Sequence, residues 1–304
     1  MSTSGSPFSR LVTVPVTGST QDDLRSALRG PEAEAWPHLS ALRALRQTAG
    51  RGRSGRAWVT PDDGALLVSV VLRPLVPARL LTWVPLLAGL AVRDALEPFV
   101  RGRGWRIGTK WPNDVVAVPE SSTVVAPVPG WASTRKIAGV LSELVTPEPS
   151  EGRTTQLSVA DEGPAGRDEA PMVILGIGVN IGQEVDDLPV AWAGSLRTLG
   201  VVDADGDSAH AAVAEVALNA IGHQLARRLE QWEGVCGDVD AGDGALGREL
   251  RAALTTLGQH VSVQAPDGEL SGLAVDVTPA LVLRNQVGDT EVRAGDVTLV
   301  RVTG

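Results

Sequence analysis

Gly50-Arg51-Gly52-Arg53-Ser54-Gly55-Arg56 puts three guanidinium groups on a segment with no apolar side chain, and Trp58 follows two positions later. Such a segment has no side chain to contribute to a core, and its glycines lose more backbone entropy on ordering than other residues do. It reads as a mobile loop that becomes ordered when something anionic arrives, because guanidinium forks match carboxylate and phosphate oxygens. Taken alone, it fits a solvated basic loop equally well. The flanking sequence decides between the two, and decides the fold with it.

Upstream, residues 10–16 alternate β-branched residues as far as Thr17-Gly18, which predicts a strand and a turn. Residues 21–28 predict a helix, with Ser19 or Thr20 available as its N-cap. Downstream, Gly64 opens a strongly β-type run over residues 65–72. Residues 80–96 have helical spacing and are expected to stop before Pro98, with Pro85 marking a start or a kink. Residues 106–110 and 115–118 predict two strands around the turn Trp111-Pro112-Asn113-Asp114. Residues 136–145 and 172–181 are further strands, and residues 209–232 a long amphipathic helix. A turn or linker over 233–247 and a short helix to about Leu257 follow. Residues 119–134 and 146–171, rich in Pro, Ser, Thr, Gly and Glu, read as surface insertions of low order. Residues 261–302 show four or five short alternating strands with Pro-Asp-Gly and Gly-Asp turns, as in a small β-barrel. The pattern is α/β with a mixed sheet and a terminal all-β module. The domains expected are residues 1–256 and 257–304.

Composition narrows the function. A chain of 304 residues has ample length for a core, and a net charge of -9 argues against a dedicated nucleic-acid or membrane-surface protein. One cysteine, Cys236, excludes an internal disulfide and fits a reducing cytosol. The N-terminal MSTSGSPFSR lacks the apolar stretch of a signal peptide, and residues 80–92 are too short to span a bilayer, so a cytoplasmic protein is expected. The four histidines are scattered, which leaves a zinc site or a Ser-His-Asp triad unsupported, and no GxxxxGK[ST] phosphate loop occurs.

Three segments cooperate with the arginine loop: Lys110-Trp-Pro-Asn-Asp, Lys136-Ile-Ala-Gly-Val-Leu-Ser-Glu and Gly176-Ile-Gly-Val-Asn180. Each sets a polar or charged residue at the edge of an apolar strand. Lys136 opens a strand of high hydrophobicity, either as a lysine snorkelling from a strand end or as a fixed cation. Asn113 and Asp114 follow a stiffening proline. The Asn180 amide emerges from a buried strand, able to close a turn or to pair with a purine edge. Ser19 and Thr20 serve as helix caps or as ligand contacts.

The order GRGRSGRAW, KWPNDV, KIAGVLSE and GIGVN, with GST upstream and a small β-module downstream, resembles biotin–protein ligases over roughly residues 10–304. The resemblance implies a class II aminoacyl-tRNA synthetase-like α+β catalytic fold followed by an SH3-like barrel. It implies activation of biotin by ATP to biotinyl-5'-AMP, with Mg²⁺ accompanying the triphosphate, then transfer to a lysine of the biotin carboxyl carrier domain of acetyl-CoA carboxylase. Both reactants of the first step are anions, so fixed cations and positioning are what the chemistry needs. By resemblance, Arg51, Arg53 and Arg56 fold over biotin and the phosphates, and Lys136 holds the carboxylate and the α-phosphate. Ser19, Thr20, Gln47, Gly50, Gly52 and Gly139 belong to the biotin half. Arg56, Trp58, Lys110, Asn113 and Asn180 belong to the nucleotide half. Asp114 is the candidate to take the acceptor amine's proton, and Lys136, Arg53 and Asp114 form the catalytic set. The family's usual Ser-Thr-Asn is here Ser19-Thr20-Gln21, which puts a direct role for Gln21 in doubt.

No room precedes the first strand for an operator-binding domain, so no DNA partner is expected. A lipoate–protein ligase, a fold relative with the same two-step logic, is the competing enzyme. An RNA-binding module would want interleaved aromatics and a basic domain, which this acidic chain lacks. Monomer and weak homodimer are both compatible with the sequence. The ligands of Mg²⁺, and a nucleotide contact from among Arg284, Arg293 and Arg301, are not assigned.

Overall fold

The computed structural model describes residues 5–59, 64–146, 163–202 and 207–300. Seven strands build the main sheet: β1 (Arg10–Thr17), β2 (Ser40–Gln47), β3 (Ala65–Leu72), β4 (Trp105–Lys110), β5 (Asp114–Pro119), β6 (Arg135–Val145) and β7 (Met172–Asn180). Their order is β1-β2-β3-β7-β6-β5-β4. Only β1 and β2 run parallel, as a pair joined through a helix must, and every other neighbour is antiparallel. The sheet is therefore mixed, as the sequence pattern predicts.

Helix α1 (Thr20–Arg29) supplies that crossover. Its N-cap is Ser19, whose hydroxyl accepts the Asp22 N–H at 3.4 Å, and Asp22 and Asp23 complement the positive end of the helix. Leu24 and Leu28 pack with Trp36, Leu42, Val71 and Ile174 on one face of the sheet. The larger core lies on the other face, under α2 (Val84–Val100) and α3 (Asp207–Gly234). Pro85 sits in the first turn of α2, where its missing N–H has no partner to lose, so the helix starts there.

Two expectations fail. Helix α2 does not stop before Pro98 but runs through it to Val100. A proline in the last turn removes a single internal hydrogen bond, and fully buried Leu96 and Val100 hold that turn against the core. Residues 119–134 are not a loosely ordered insertion either. They bend back through a Val128–Ala132 bridge with Gly130 in the left-handed region (φ 76°), and Trp131 is 8% exposed. The polar composition of the segment hides one tryptophan, whose ring stacks on Trp192 beside Lys110. Of the second expected insertion, residues 147–162 lie outside the described set, while Arg167 reaches Glu233 and donates to the Arg73 carbonyl at 2.6 Å.

The terminal module is a five-stranded antiparallel sheet: β8 (His260–Ala265), β9 (Gly268–Val277), β10 (Leu281–Asn285), β11 (Gly288–Val292) and β12 (Asp296–Leu299), in the order β11-β10-β9-β8-β12. Val261, Val263, Leu281, Leu283 and Val297 join the main apolar cluster, so the two sheets share one continuous core. Helix α4 (Ala245–Ala253) leads into their junction, where Thr255 N–H donates to the Thr109 carbonyl at 2.8 Å. Trp111 is a core residue at the same junction, its indole N–H donating to the Pro279 carbonyl at 3.1 Å. No helix among the described residues is long and apolar enough to cross a membrane.

Candidate active site

Successive side chains of a strand point to opposite faces, and β7 uses this fully. Val173, Leu175, Ile177 and Val179 enter the main core, leaving Gly176, Gly178 and Asn180 to line a cavity on the other face. Strand register then fixes the layout. Lys110 pairs with Asp114, Asp114 with Gly139, Gly139 with Gly178, and Gly178 with Leu67, which makes one row across five strands. The cavity above this row has a volume of about 470 Å³.

The two central glycines of the row are required by Trp58. A Cβ at Gly178 would stand 2.6 Å from its ring and one at Gly139 would stand 3.0 Å away, so the indole rests directly on β6 and β7. Gly50 does not line the cavity. It stands behind, its carbonyl accepting the Trp58 N–H at 2.9 Å, where a Cβ would meet the Trp58 carbonyl at 2.5 Å.

One end of the cavity is neutral. The Gln47 side-chain oxygen accepts from Thr20 N–H at 2.7 Å and from the Thr20 hydroxyl at 3.0 Å. The hydroxyls of Thr20 and Ser69 lie 2.7 Å apart, fully enclosed. Ser19 and Gln21 are buried beside them, Gln21 against Gly176. Ser69 escaped the sequence reading, although a lone hydroxyl in the apolar run of β3 is the kind of signal that marks a lined pocket.

The other end is cationic. Lys136 Nζ lies 2.6 Å from Asp114 Oδ1 and 5.5 Å from the centre of the Trp58 ring. Asn113 donates to the Val140 carbonyl at 2.7 Å and faces Arg53 Nη1 at 3.4 Å, and the same nitrogen reaches the Gly295 carbonyl at 3.3 Å. Asn180 donates to the Gly194 carbonyl at 2.9 Å, which fixes the orientation of its amide. The arginine loop closes over this end through a tight turn at Ser54 (φ 55°) and Gly55 (φ 75°). Arg51 pairs with Asp22 at 2.8 Å and Arg56 with Asp296 at 2.7 Å, both well exposed. Exposed pairs contribute about 0–1 kcal/mol each, so these two add little to holding the loop closed. Of the C-terminal residues, Asp296, Val297 and Thr298 reach the cavity, while Arg284 is spent on Asp289 and Arg301 lies outside the described residues.

Lys110 is the most constrained cation. It is 7% exposed, donates to the Val297 carbonyl at 2.6 Å, and sits 4.0 Å from the centre of the Trp131 ring. Burial pulls its ammonium down to about 8, opposed by Asp114 and Asp296 and assisted by Lys136 and Arg56. Burial likewise lowers the Arg53 guanidinium, with Asp296 and Asp114 opposing. For Lys110 the sign of the stability effect follows. Between about pH 8 and the ordinary lysine value of 10.5 the unfolded chain holds more protons, so this group adds stability as pH rises. Below 8 the buried charge is a standing cost. Lys110→Met is therefore expected to raise the unfolding free energy of the ligand-free protein at pH 7 by about 1–3 kcal/mol, checked by denaturant titration.

Fold and cavity together define an α+β protein that brings fixed cations and a neutral polar pocket to one row of a mixed sheet. Residues 14–159 match the model of the Biotin/lipoate A/B protein ligase family. The biotin--[acetyl-CoA-carboxylase] ligase of Mycobacterium tuberculosis is 31% identical over 98% of this chain and 91% of its own length. The protein of the same name from Paracoccus denitrificans is 29% identical over 92% of this chain and 97% of its own. The biotin protein ligase of Aquifex aeolicus, solved in complex with biotin and ATP, has the same fold: a TM-score of 0.63 at 23% identity, covering 97% of this chain and all of that one. The chain belongs to the biotin–protein ligases.

Proposed function

We propose that this protein is an ATP-dependent biotin–protein ligase acting in the cytoplasm. Biotin and ATP give biotinyl-5'-AMP and pyrophosphate, and a lysine of the biotin carboxyl carrier domain of acetyl-CoA carboxylase then displaces AMP to form an amide. The observation that carries the reading is the polarity of one cavity, with Ser19, Thr20, Gln47 and Ser69 at a neutral end and Lys110, Lys136, Arg53 and Arg56 at the other. Biotin has that polarity: a ureido ring needing paired donors and acceptors, an apolar stem, and a carboxylate.

In this reading Lys136 turns from Asp114 to the biotin carboxylate and the α-phosphate, and draws the two anions together. Asp114, released from Lys136, becomes the acceptor for the incoming amine's proton. Arg53 and Arg56 neutralise phosphate charge, Arg51 with the Gly52 backbone closes over biotin, and Asn113 positions Arg53. Trp58 provides the wall between the two halves, and Asn180 stands at the base. Asp114 and Asp296, the carboxylates lining the cavity, are the residues that would face a Mg²⁺ accompanying the triphosphate, which would offset phosphate charge.

Mass analysis of a purified carrier domain incubated with ATP and either biotin or lipoate tests the reading. Modification by biotin is expected, and modification by lipoate alone would overturn it. Gly178→Ala tests the biotin pocket. The added methyl displaces Trp58 at an overpacking cost of about 1–3 kcal/mol, weakening biotin binding by roughly ten- to hundredfold in calorimetry.

A further inference from the structure

Lys110 and Lys136 are the only lysines of this chain, against 25 arginines, and both line the same cavity. Lys136 has a carboxylate partner in Asp114. Among the described residues Lys110 has none within ion-pair distance, and it is nearly enclosed; what holds it is a carbonyl and the face of Trp131. Trp131 comes from the 119–134 segment, and the surrounding backbone is built around it. Leu299 N–H donates to the Gly130 carbonyl at 3.0 Å, Thr298 packs against Gly130, and Trp131 N–H donates to the Val128 carbonyl at 3.0 Å. The ring also stacks on Trp192, with centroids 5.7 Å apart and planes within 8°. The Trp192 carbonyl in turn accepts the Lys136 N–H at 2.8 Å. The indole thus contacts Lys110 and Trp192, and the main chain around it is tied to β12 and, through Trp192, to the start of β6.

We propose that Trp131 is a positioning residue for adenylation, its ring holding the Lys110 ammonium against the Val297 carbonyl as a second fixed cation facing the nucleotide phosphates. This rests on the ligase reading above. A desolvated ammonium over an indole gains attraction that no aliphatic side chain replaces. The charged groups around Lys110 are Asp114 on β5, Lys136 on β6, Asp296 on β12 and Arg56 in the loop, two of each sign. These charges act in both directions, burial is the largest influence and lowers the ammonium, and the Trp131 face is a contact that opposes it.

The direction of change separates this from simple packing. If Trp131 only fills space, a smaller residue admits water to Lys110 and raises its titration midpoint. If the ring holds the cation, Trp131→Met lowers the midpoint despite that water, and Trp131→Phe, with a weaker face, falls between. In protein carrying ¹³Cε-lysine only two side-chain signals exist, and Lys136→Arg identifies which is Lys110. The ligand-free midpoint is then read directly, without any catalysis. A lower midpoint in Trp131→Met is expected, together with a KM for ATP raised about tenfold, a KM for biotin within about twofold of the parent, and an alkaline limb of ATP–pyrophosphate exchange displaced to lower pH. Trp131→Phe should recover most of the loss. An unchanged or raised Lys110 midpoint in Trp131→Met overturns the proposal. Should that variant not fold, a Trp131→Phe midpoint equal to or above the parent's overturns it equally. Parent protein that catalyses no biotin-dependent exchange would instead overturn the ligase reading, leaving the spectroscopic result to stand on its own.

Discussion

Lys136→Ala is expected to lower biotin-dependent ATP–pyrophosphate exchange by about 10²–10³-fold or more, while biotin binding weakens far less. Two anions must meet before the acyl–phosphate bond can form, and in the proposed mechanism the ammonium of Lys136 draws them together. Removing it does two things at once. The stabilising charge disappears, and Asp114 loses its partner at 2.6 Å and leaves a negative charge at the same spot. The residues proposed to contact biotin at the neutral end, Thr20, Gln47 and Ser69, are untouched. Exchange kinetics with calorimetric biotin titration separate the effects. Exchange at near the parent rate would refute the assignment. Asp114→Asn is the complementary variant: adenylation should persist, and transfer to the carrier lysine should slow.

Arg53→Ala is expected to release free biotinyl-5'-AMP about ten- to hundredfold faster, on the scale of one charge-assisted hydrogen bond. Arg53 stands between two cavities, the reaction cavity of about 470 Å³ and a second of about 540 Å³. Its guanidinium bridges Asn113 and the Gly295 carbonyl, and so ties the arginine loop to the Trp-Pro-Asn-Asp turn and to the start of β12. Without that side chain the two spaces merge, and the mixed anhydride meets water and escapes. Chromatographic measurement of free adenylate against carrier-bound biotin reads this directly. Leakage at the parent rate would contradict the closing role. The exposed pairs Arg51–Asp22 and Arg56–Asp296 are too weak to substitute.

Much of this site is legible along the chain because its chemistry is concentrated in short segments. Gly176-Ile-Gly-Val-Asn180 shows its logic in one dimension: period-two alternation sends the branched residues inward and leaves small ones on the cavity face. The glycine-spaced arginines and the lysine opening β6 are similarly exposed to reading, since residues of that charge rarely border apolar strands for packing alone. Pro85 fixes the start of α2 by a local rule. Pro98 does not fix its end, because burial of Leu96 and Val100 outweighs the single hydrogen bond a late proline removes.

The amino-acid sequence by itself determined the mixed sheet with its terminal β-module, the cationic segments and the polarity of their chemistry, because each depends on residues near one another in the chain. Only the tertiary structure decided the row Lys110–Asp114–Gly139–Gly178–Leu67, which depends on strand register. It alone brought Ser69 to Thr20, Asp296 to Arg56 and Val297 to Lys110. It also turned a polar-looking segment into the support for Lys110. Trp131 is 21 residues beyond Lys110 and 61 before Trp192, and no local pattern encodes a ring that three distant segments close around.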